Sequence, residues 1–403
     1  MSKIIDRQQY ATSWIILLAL LTSLGPLSID MYLPALPQMA NDFGVSTQQI
    51  SNTLPAYFLG LAIGQLFYGP LSDRIGRKKP LYWGMGLFAF ASFLCVIAPN
   101  DWALIAARVL QALGGCVGVV IARAAIRDRL DTQGSAQAFS SMMIVMGLAP
   151  ILAPIIGAFI LQFFPWEAVF ITLTLIGLFC LFCVHYFFEE TLSVEHRLKL
   201  SFKQVVLLYS TIIQDRSFRM PMLAGCLTGA ALFAYISSAS AVFMGEYHLS
   251  QHAFAYAFGF NAFGIMLMSS ANKYLAKKIT VMRRLKIGGI QQLLGAIIVM
   301  MCGFILNAPL WLLMLGLFLT VSGIGFTGPN AMALAMSKQG ARAGTASAIM
   351  GSIQFSFGLL GGIILNFLWA SPVMNMGILM VFFTAAGLAC IFKLAQNPDF
   401  KMI

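Results

Sequence analysis

The sequence predicts an all-α membrane protein in which twelve transmembrane helices form two pseudo-symmetric six-helix bundles. Its 403 residues are 59% hydrophobic and only 10% charged, with a mean hydropathy of +0.84. This composition is too apolar for a soluble domain. The apolar runs also exceed, repeatedly, the roughly 20 residues that a helix needs to cross a bilayer. These observations indicate a polytopic helical membrane protein.

Twelve apolar runs, called spans one to twelve here, are separated by polar loops. They lie at about residues 13–36, 47–71, 80–98, 102–126, 134–163, 167–188, 218–244, 251–274, 285–305, 309–336, 342–368 and 373–394.

Lys and Arg residues occur almost entirely in alternate loops, on the same side as both termini. The intervening loops contain acids such as Asp42 and Glu167 but no Lys or Arg. The positive-inside rule therefore predicts that both termini are cytoplasmic. The formal charge of +11 then reflects topology, and nucleic-acid binding is not expected.

The longest polar interval, from Glu189 to Arg219, divides the spans six and six. It predicts three parts: an N-terminal bundle of residues 1–190, a cytoplasmic linker of residues 191–217 and a C-terminal bundle of residues 218–403. The two halves repeat at an offset of about 204 residues, as Ser46 and Ser250 open spans two and eight. Parallel repeats of this kind meet around a substrate site near the membrane midplane.

Within the linker, Ser201 and Gln204 have the spacing of a capping box. They predict a short amphipathic helix over residues 202–213 that lies on the cytoplasmic surface.

The loop between spans two and three carries five charges between two long apolar runs. Residues 69–81 read Gly-Pro-Leu-Ser-Asp-Arg-Ile-Gly-Arg-Lys-Lys-Pro-Leu. This order resembles the signature loop of the major facilitator superfamily of secondary transporters, although an ordinary basic cytoplasmic loop is the alternative. The resemblance implies a gate, in which Asp73 sits against the N-terminal end of span eleven and Arg77 pairs with Asp128. The predicted gating residues are Gly69, Asp73, Arg74, Gly76, Arg77 and Asp128.

Asp30 is the one carboxylate well inside a span, where burying it costs several kcal/mol unless it is paired, protonated or hydrated. Arg108 of span four lies at a matching depth, roughly 9 to 15 Å below the periplasmic face at 1.5 Å per residue. The two residues predict a proton-coupling site, because an approaching guanidinium favours the ionised form of a carboxyl and burial opposes it. The alternative is a purely structural ion pair.

Three further segments resemble the Bcr/CflA drug-resistance transporters, a proton-antiporter branch of that superfamily. Residues 28–37, Ser-Ile-Asp-Met-Tyr-Leu-Pro-Ala-Leu-Pro, are similar to an element of span one. Residues 108–115, Arg-Val-Leu-Gln-Ala-Leu-Gly-Gly, are similar to a span-four motif linked to proton coupling, with Ala112 in place of its glycine. In span five, Pro150, Pro154 and Gly157 resemble the antiporter motif, which implies a seal against leak; by spacing alone they predict a kinked helix packed against span eight.

Thirteen aromatic, Met or amide residues lie in spans expected to face the centre, and we expect them to bind substrate, although ordinary helix packing is the alternative for many. They are Tyr32, Tyr57, Phe58, Gln111, Met142, Met146, Tyr235, Phe260, Asn261, Phe263, Asn330, Gln354 and Phe355.

The combined expectation is a proton-coupled exporter of small amphiphilic drugs or antibiotics, amphenicols among them, in a bacterial inner membrane. Its partners would be a small-molecule drug, protons and the lipid bilayer, and we expect a monomer driven by the proton motive force without a cofactor. Cys180 and Cys183 have CxxC spacing, but without a second Cys pair we expect helix packing and no metal site. The alternatives are metabolite export, uptake by proton symport, a membrane receptor or an embedded enzyme.

Overall fold

The computed structural model describes residues 12–130, 132–197, 201–339 and 342–396, and these residues form helices and turns without a β-strand. Eleven of the helices are long and apolar enough to cross a membrane. Span five is a helix over Thr132–Ile160, of which Gly147–Ile160 is apolar. The predicted all-α membrane fold is confirmed.

Apart from the end of span one, the spans begin and end within a few residues of their predicted boundaries. Spans one to six comprise the helices Thr12–Asp30 and Leu36–Phe43, Thr47–Ile50 and Thr53–Ile75, Lys78–Val96, Asp101–Arg129, Thr132–Ile160, and Glu167–Phe187. Spans seven to twelve comprise Arg216–Ser240 with the π-helix Ala241–Glu246, Gln251–Leu275, Val281–Cys302, Leu310–Ser322 with Ile324–Met336, Ala343–Leu365, and Pro372–Gln396.

Span one is broken in its middle and longer than predicted. Its first helix ends at Asp30, a 3₁₀ turn covers Leu33–Ala35, and a second helix runs from Leu36 to Phe43. Pro34 and Pro37 fall in the first turns of the second and third segments. A proline is tolerated there because the first helical N–H groups have no intrahelical acceptor. Span one therefore continues as a new helical segment beyond residue 36, where the sequence predicts its end.

The first six spans pack mainly against one another, as do the last six. The main contacts between the two groups join span two to span eleven and span five to span eight. Span five approaches span eight closely, since a Cβ on Gly259 would lie 3.6 Å from Ile151. The predicted packing of span five against span eight is confirmed.

The linker contains a helix over Phe202–Gln214 with the predicted capping box. The Ser201 hydroxyl accepts a hydrogen bond from the Gln204 N–H, and the Gln204 side chain accepts one from the Ser201 N–H. The Tyr209 hydroxyl donates a 2.7 Å hydrogen bond to the Leu66 carbonyl of span two. The linker helix is therefore attached to the first six spans.

Asp215 joins the linker helix to the second group of spans. It caps span seven, accepting hydrogen bonds from the Ser217 N–H at 2.8 Å and from the Ser217 hydroxyl at 2.7 Å. It also accepts one from the Gln339 side chain, which follows span ten, at 3.0 Å. Partial burial raises the pKa of the Asp215 carboxyl, but these hydrogen bonds and the nearby charge of Lys338 outweigh it and lower the pKa.

The starts of spans two and eight show the repeat directly. The hydroxyl of Ser46 caps its helix by accepting from the Gln49 N–H, and that of Ser250 does the same with the Ala253 N–H. The two caps are 250 − 46 = 204 positions apart.

Candidate functional site

The two groups of spans enclose a central cavity of about 300 Å³. Spans one, two, four, five, seven, eight, ten and eleven all contribute to its lining, which is mostly apolar. Its polar groups include Asp30 and Tyr235, and also Gln65 and Arg123. A mostly apolar cavity with a few polar groups is typical of a small-molecule site.

Asp30 lines this cavity at the break in span one and is 3% exposed. Its Oδ1 accepts no hydrogen bond from any described residue. An ionised carboxylate in such a position is unfavourable unless water or a proton compensates its charge. The position is suited to a group that gains and loses a proton.

Arg108 does not pair with Asp30, contrary to our expectation that it is the partner. Neither residue belongs to an ion pair of the described part of the chain. Arg108 is fully buried, and its Nη2 donates a 2.9 Å hydrogen bond to the carbonyl of Ser28. Ser28 lies in the last turn of the first helix, where carbonyls lack intrahelical donors. Arg108 therefore binds the backbone two residues before Asp30 and not the Asp30 carboxylate.

Two predicted binding residues, Tyr32 and Tyr57, enclose the Arg108 guanidinium. Its Cζ lies 4.3 Å from the centroid of each ring, within the range of cation–π attraction. Nη1 donates to the side chain of Gln111 at 2.5 Å, and Gln111 donates to Ser92 at 2.8 Å. These three predicted binding residues are thus placed around Arg108 and do not line the central cavity.

Three of the predicted substrate-binding residues line the central cavity. They are Tyr235, Gln354 and Phe355. Asn261 lies behind Tyr235 and donates a 3.0 Å hydrogen bond to its hydroxyl. Asn261 of span eight therefore contacts the cavity only through Tyr235.

The other predicted residues lie elsewhere. Phe260 and Phe263 are 51% and 45% exposed and do not line the central cavity. Met142 is buried in helix packing, and Asn330 donates a 2.9 Å hydrogen bond to Asn272 of span eight. The side chain of Met146 lies outside the part of the chain that the structure describes. Because these spans are apolar on every side, the sequence does not show which side faces the centre.

The sequence reading missed Gln65, Arg123, Phe233 and Ser347, which all line the central cavity. Arg123 could have been identified from the sequence, because it lies six residues before the end of span four. A charged side chain inside a span is costly unless it faces a cavity or has a partner. Phe233 and Ser347 had no signal, as such residues are common in apolar spans.

The predicted gate residues Asp73, Arg77 and Asp128 form one charged network. Arg77 donates from Nη1 to Asp73 at 2.6 Å, and from Nε and Nη2 to the two oxygens of Asp128 at 2.8 and 3.3 Å. The Thr191 hydroxyl also donates to Asp128, at 2.9 Å. A bidentate guanidinium–carboxylate pair of this kind is directional and strong. The expected pairing of Arg77 with Asp128 is confirmed.

Glu190, which the sequence reading did not single out, completes this network. Its carboxylate accepts hydrogen bonds from the backbone N–H groups of Arg77 at 2.8 Å and Lys78 at 3.2 Å. It thereby caps the N-terminus of span three, where negative charge is favourable. Gly76 has a φ of +96° and a Cβ there would clash with the Glu190 carboxylate, so both conformation and space require glycine.

The network lies within the first six spans and the linker, and it does not directly reach span eleven. Asp73 lines the same cavity as Thr345 in the first turn of span eleven, but its carboxylate is bonded to Arg77. The guanidinium of Arg127 packs against that turn instead, 2.8 Å from where a Gly344 Cβ would be. Among the described residues, Asp73 therefore faces the first turn of span eleven across this cavity without a hydrogen bond to it. Arg74 is exposed, and Gly69 lines this cavity.

This second cavity, of about 530 Å³, lies at the end of the molecule where Arg77, Arg127 and Arg342 are found, which we call the basic end. It shares Gln65, Arg123 and Ser347 with the central cavity. The central cavity therefore adjoins the basic-end cavity at these three residues, where Arg123 is hydrogen-bonded to Ser347.

An aromatic cluster separates the central cavity from the opposite end. The predicted residue Phe58 packs on Phe233 at a centroid distance of 4.7 Å, and Phe233 packs on Phe355 at 5.5 Å. Beyond it, the side chains of Asn366 and Asn52 are hydrogen-bonded across spans eleven and two. These two asparagines line a third cavity, of about 560 Å³, at the opposite end, and the aromatic cluster lies between it and the central cavity.

The span-five motif contacts both span one and the central cavity. Pro150 lines the cavity, and Pro150 and Pro154 are both inside the helix, where each removes a backbone donor. Gly157 faces span one, since a Cβ there would overlap the Met31 carbonyl oxygen. The motif therefore allows span five to pack on span one, directly after Asp30.

The sequence is similar to known transporters along most of its length. A family model described as Major Facilitator Superfamily matches residues 18–362. The chain is 35% identical over 351 residues to YdgK of Bacillus subtilis, named an uncharacterized MFS-type transporter, covering 86% of each protein. It is 30% identical over 358 residues to a bicyclomycin resistance protein homolog of Haemophilus influenzae, covering 89% of each. It is 30% identical over 338 residues to the multidrug resistance protein MdtL of a Shewanella species, covering 82% of each.

Solved structures show the same fold. A D-xylose-proton symporter superimposes with a TM-score of 0.75 at 14% identity, covering 98% of this chain and 99% of that one. The human organic anion transporter MFSD10 superimposes with a TM-score of 0.69 at 17% identity, covering 95% and 98%. The chain is a transporter and belongs to the Major Facilitator Superfamily, as its signature loop and its Bcr/CflA-like first span predict.

Proposed function

We propose that the protein is a proton-coupled antiporter that exports small amphiphilic drugs or antibiotics from the cytoplasm by alternating access. The observation that carries this proposal is Asp30, a buried carboxylate that lines the central cavity and has an Oδ1 without a hydrogen-bond donor among the described residues. The Asp30 carboxyl can either bind a proton or contact the substrate. Competition between the two couples proton movement to substrate movement.

The proposed cycle uses the two ends of the cavity in turn. Drug enters from the basic end, whose cavity adjoins the central cavity at Gln65 and Arg123. After the cavity opens to the opposite end, a proton binds Asp30, the drug leaves, and the proton is released at the basic end. One charge moved down 100 mV yields about 2.3 kcal/mol, so a single proton supports a useful gradient of a neutral drug.

The cavity wall and the relatives support drugs as the substrate class. Phe233, Phe355 and Ile236 present aromatic and aliphatic surface, and the volume of about 300 Å³ is at the small end of ligand pockets. Relatives of this chain are named for bicyclomycin and multidrug resistance. Amphenicol-sized compounds fit this description.

The same proposal includes the location and the organisation of the chain. The basic end would face the cytoplasm of a bacterium, with both termini there, because Lys and Arg remain on the cytoplasmic side of the inner membrane. Residues 1–190 and 218–403 would move as two bundles joined by the linker 191–217, in a monomer.

The test uses purified protein in proteoliposomes that hold a pH gradient and an internal pH-sensitive dye. Chloramphenicol should accelerate the collapse of the gradient in wild type. Asp30→Asn should abolish this response, because it keeps size and hydrogen bonding but cannot carry a proton. Glu195→Gln, which removes an exposed linker acid, is the matched control and should respond normally. A drug-dependent proton flux that persists in Asp30→Asn would contradict the proposal.

A further inference from the structure

Arg123 of span four lies where the central cavity meets the basic-end cavity, and it lines both. Its Nη1 donates a 3.2 Å hydrogen bond to the hydroxyl of Ser347 on span eleven. Within the described residues, no carboxylate forms an ion pair with it. The cavity thus contains a cation whose neighbouring acceptor is a neutral hydroxyl.

The acids of the basic-end cavity are already bound to another residue. Asp73 and Asp128 both accept from Arg77, and Asp128 accepts from Thr191 as well. Arg127 and Arg342 line the same cavity and add positive charge beside Arg123. The path from the basic end to the central cavity is therefore positive and attracts anions.

A charge inside a span is costly when it is unpaired, so a cation kept there without a carboxylate indicates a ligand that supplies the opposite charge. The guanidinium is well suited to a carboxylate or a similar planar anion. We propose that Arg123 binds an anionic group of the substrate, so that the preferred substrates are small amphiphiles with one negative charge. This inference rests on the proposed export function and names its substrate class.

The two charged groups of the central cavity fit this arrangement. Arg123 is at the basic-end side of the cavity, while Asp30 lines it from the break in span one, next to Tyr235. Along span four, the cavity runs from Gly115 to Arg123, which is about 12 Å at 1.5 Å per residue. A substrate anion at Arg123 leaves its apolar part against Phe233 and Phe355. The negative charge of the substrate is thereby kept away from the acid that carries the proton.

The experiment compares two probes that share one body. Chloramphenicol is uncharged, and chloramphenicol succinate adds a carboxylate on a short ester arm. Binding of each to the purified full-length protein is measured by calorimetry in a neutral detergent, without any proton gradient. The variants are Arg123→Gln, Arg123→Lys and, as a control of equal charge change, Arg283→Gln, which alters an exposed arginine outside both cavities.

We expect wild type to bind the succinate ester at least tenfold more tightly than chloramphenicol, as a hydrogen bond to a charged group allows. Arg123→Gln should weaken binding of the ester at least tenfold and change chloramphenicol binding less than threefold. Arg123→Lys should keep most of the preference, and Arg283→Gln all of it. Unchanged melting temperature and elution volume of Arg123→Gln show that its fold is intact.

Wild type without a preference for the ester, including wild type that binds neither probe, overturns the inference. So does Arg123→Gln if it loses both probes equally, or if Arg283→Gln loses the preference as well. Because no proton gradient is involved, the outcome is separate from the export test. A preference that depends on Arg123 in a protein without drug-dependent proton flux would leave this inference standing and refute the antiporter.

Discussion

Arg108 donates a 2.9 Å hydrogen bond to the backbone carbonyl of Ser28, two residues before Asp30. The arginine is thus fixed to the end of the first helix of span one, while the carboxylate remains directed to the cavity. A change in the break of span one would alter the distance between the two charges. The proposed proton site and the backbone of span one are therefore mechanically connected.

The first prediction is that Arg108→Lys loses nearly as much transport as Arg108→Ala. The guanidinium lies between the rings of Tyr32 and Tyr57 and donates in two directions, and an ammonium group cannot reproduce this planar geometry. The measurement is drug-dependent proton flux in proteoliposomes at matched protein density. A lysine variant with more than half of the wild-type flux would show that charge alone is needed.

The second prediction concerns Asp73, whose bond to Arg77 is formed in this structure, in which a cavity lies at the basic end. Asp73→Asn should therefore decrease the population of this state by about twofold to fivefold, the range expected for a partly exposed ion pair. A cysteine pair at Gly69 and Ala348, which line the basic-end cavity from spans two and eleven, reports this change by crosslinking. The pair should crosslink faster in Asp73→Asn, on a background without the seven native cysteines.

A second cysteine pair provides the control for this prediction. Asn52 and Asn366 are hydrogen-bonded at the opposite end in the same structure, so cysteines there should crosslink more slowly in Asp73→Asn than in its parent. Slower crosslinking at both ends would indicate general loosening of the fold. An unchanged rate at Gly69 and Ala348 together with lost transport would show that the network does not act as a gate.

The third prediction compares two glycines of span five. Gly157→Ala should destabilise the protein by about 1–3 kcal/mol, because its Cβ would overlap the backbone oxygen of Met31. Gly147→Ala should be neutral or slightly stabilising, since the nearest atom to its Cβ is the Met266 sulfur at 3.9 Å and alanine favours helix. Thermal unfolding in detergent measures both. Equal effects of the two substitutions would mean that spans one and five do not pack as the structure shows.

The fourth prediction concerns Asp215, whose pKa is lowered in the folded protein. Asp215→Ala should cost about 1 kcal/mol of stability, as expected for loss of an N-cap. The stabilisation from a lowered pKa is complete above the ordinary value of about 4 and disappears as the pH falls through the folded-state pKa. The difference in melting temperature between wild type and variant should therefore shrink below about pH 4. A difference that stays constant to lower pH would show that the ionised carboxylate is not what stabilises the cap.

The number and order of the spans are predictable from the sequence alone, because long apolar runs and loop charges are local properties of the chain. The limits are predictable to within a few residues except for span one, which continues to Phe43. The closeness of Asp73 and Arg77 is also a local property, since only the two residues Gly76 and Arg77 separate the helices of spans two and three. The pairing of Arg77 with Asp128 was implied by the resemblance of the signature loop, and the sequence did not indicate the part that Glu190 plays. Asp30 is predictable from the sequence as well, because an acid inside an apolar run is conspicuous without any knowledge of its neighbours.

Which side chains face the central cavity depends on tertiary packing and is not predictable from the sequence. Tyr235 and Phe355 line it, whereas Phe260 is exposed and Tyr32 is buried against Arg108. A helix that is apolar on all sides carries no periodic signal for its orientation, so its rotation is set by close packing with its neighbours. The partner of Arg108 was decided in the same way, because the end of a helix offers carbonyl oxygens that no side-chain pattern displays.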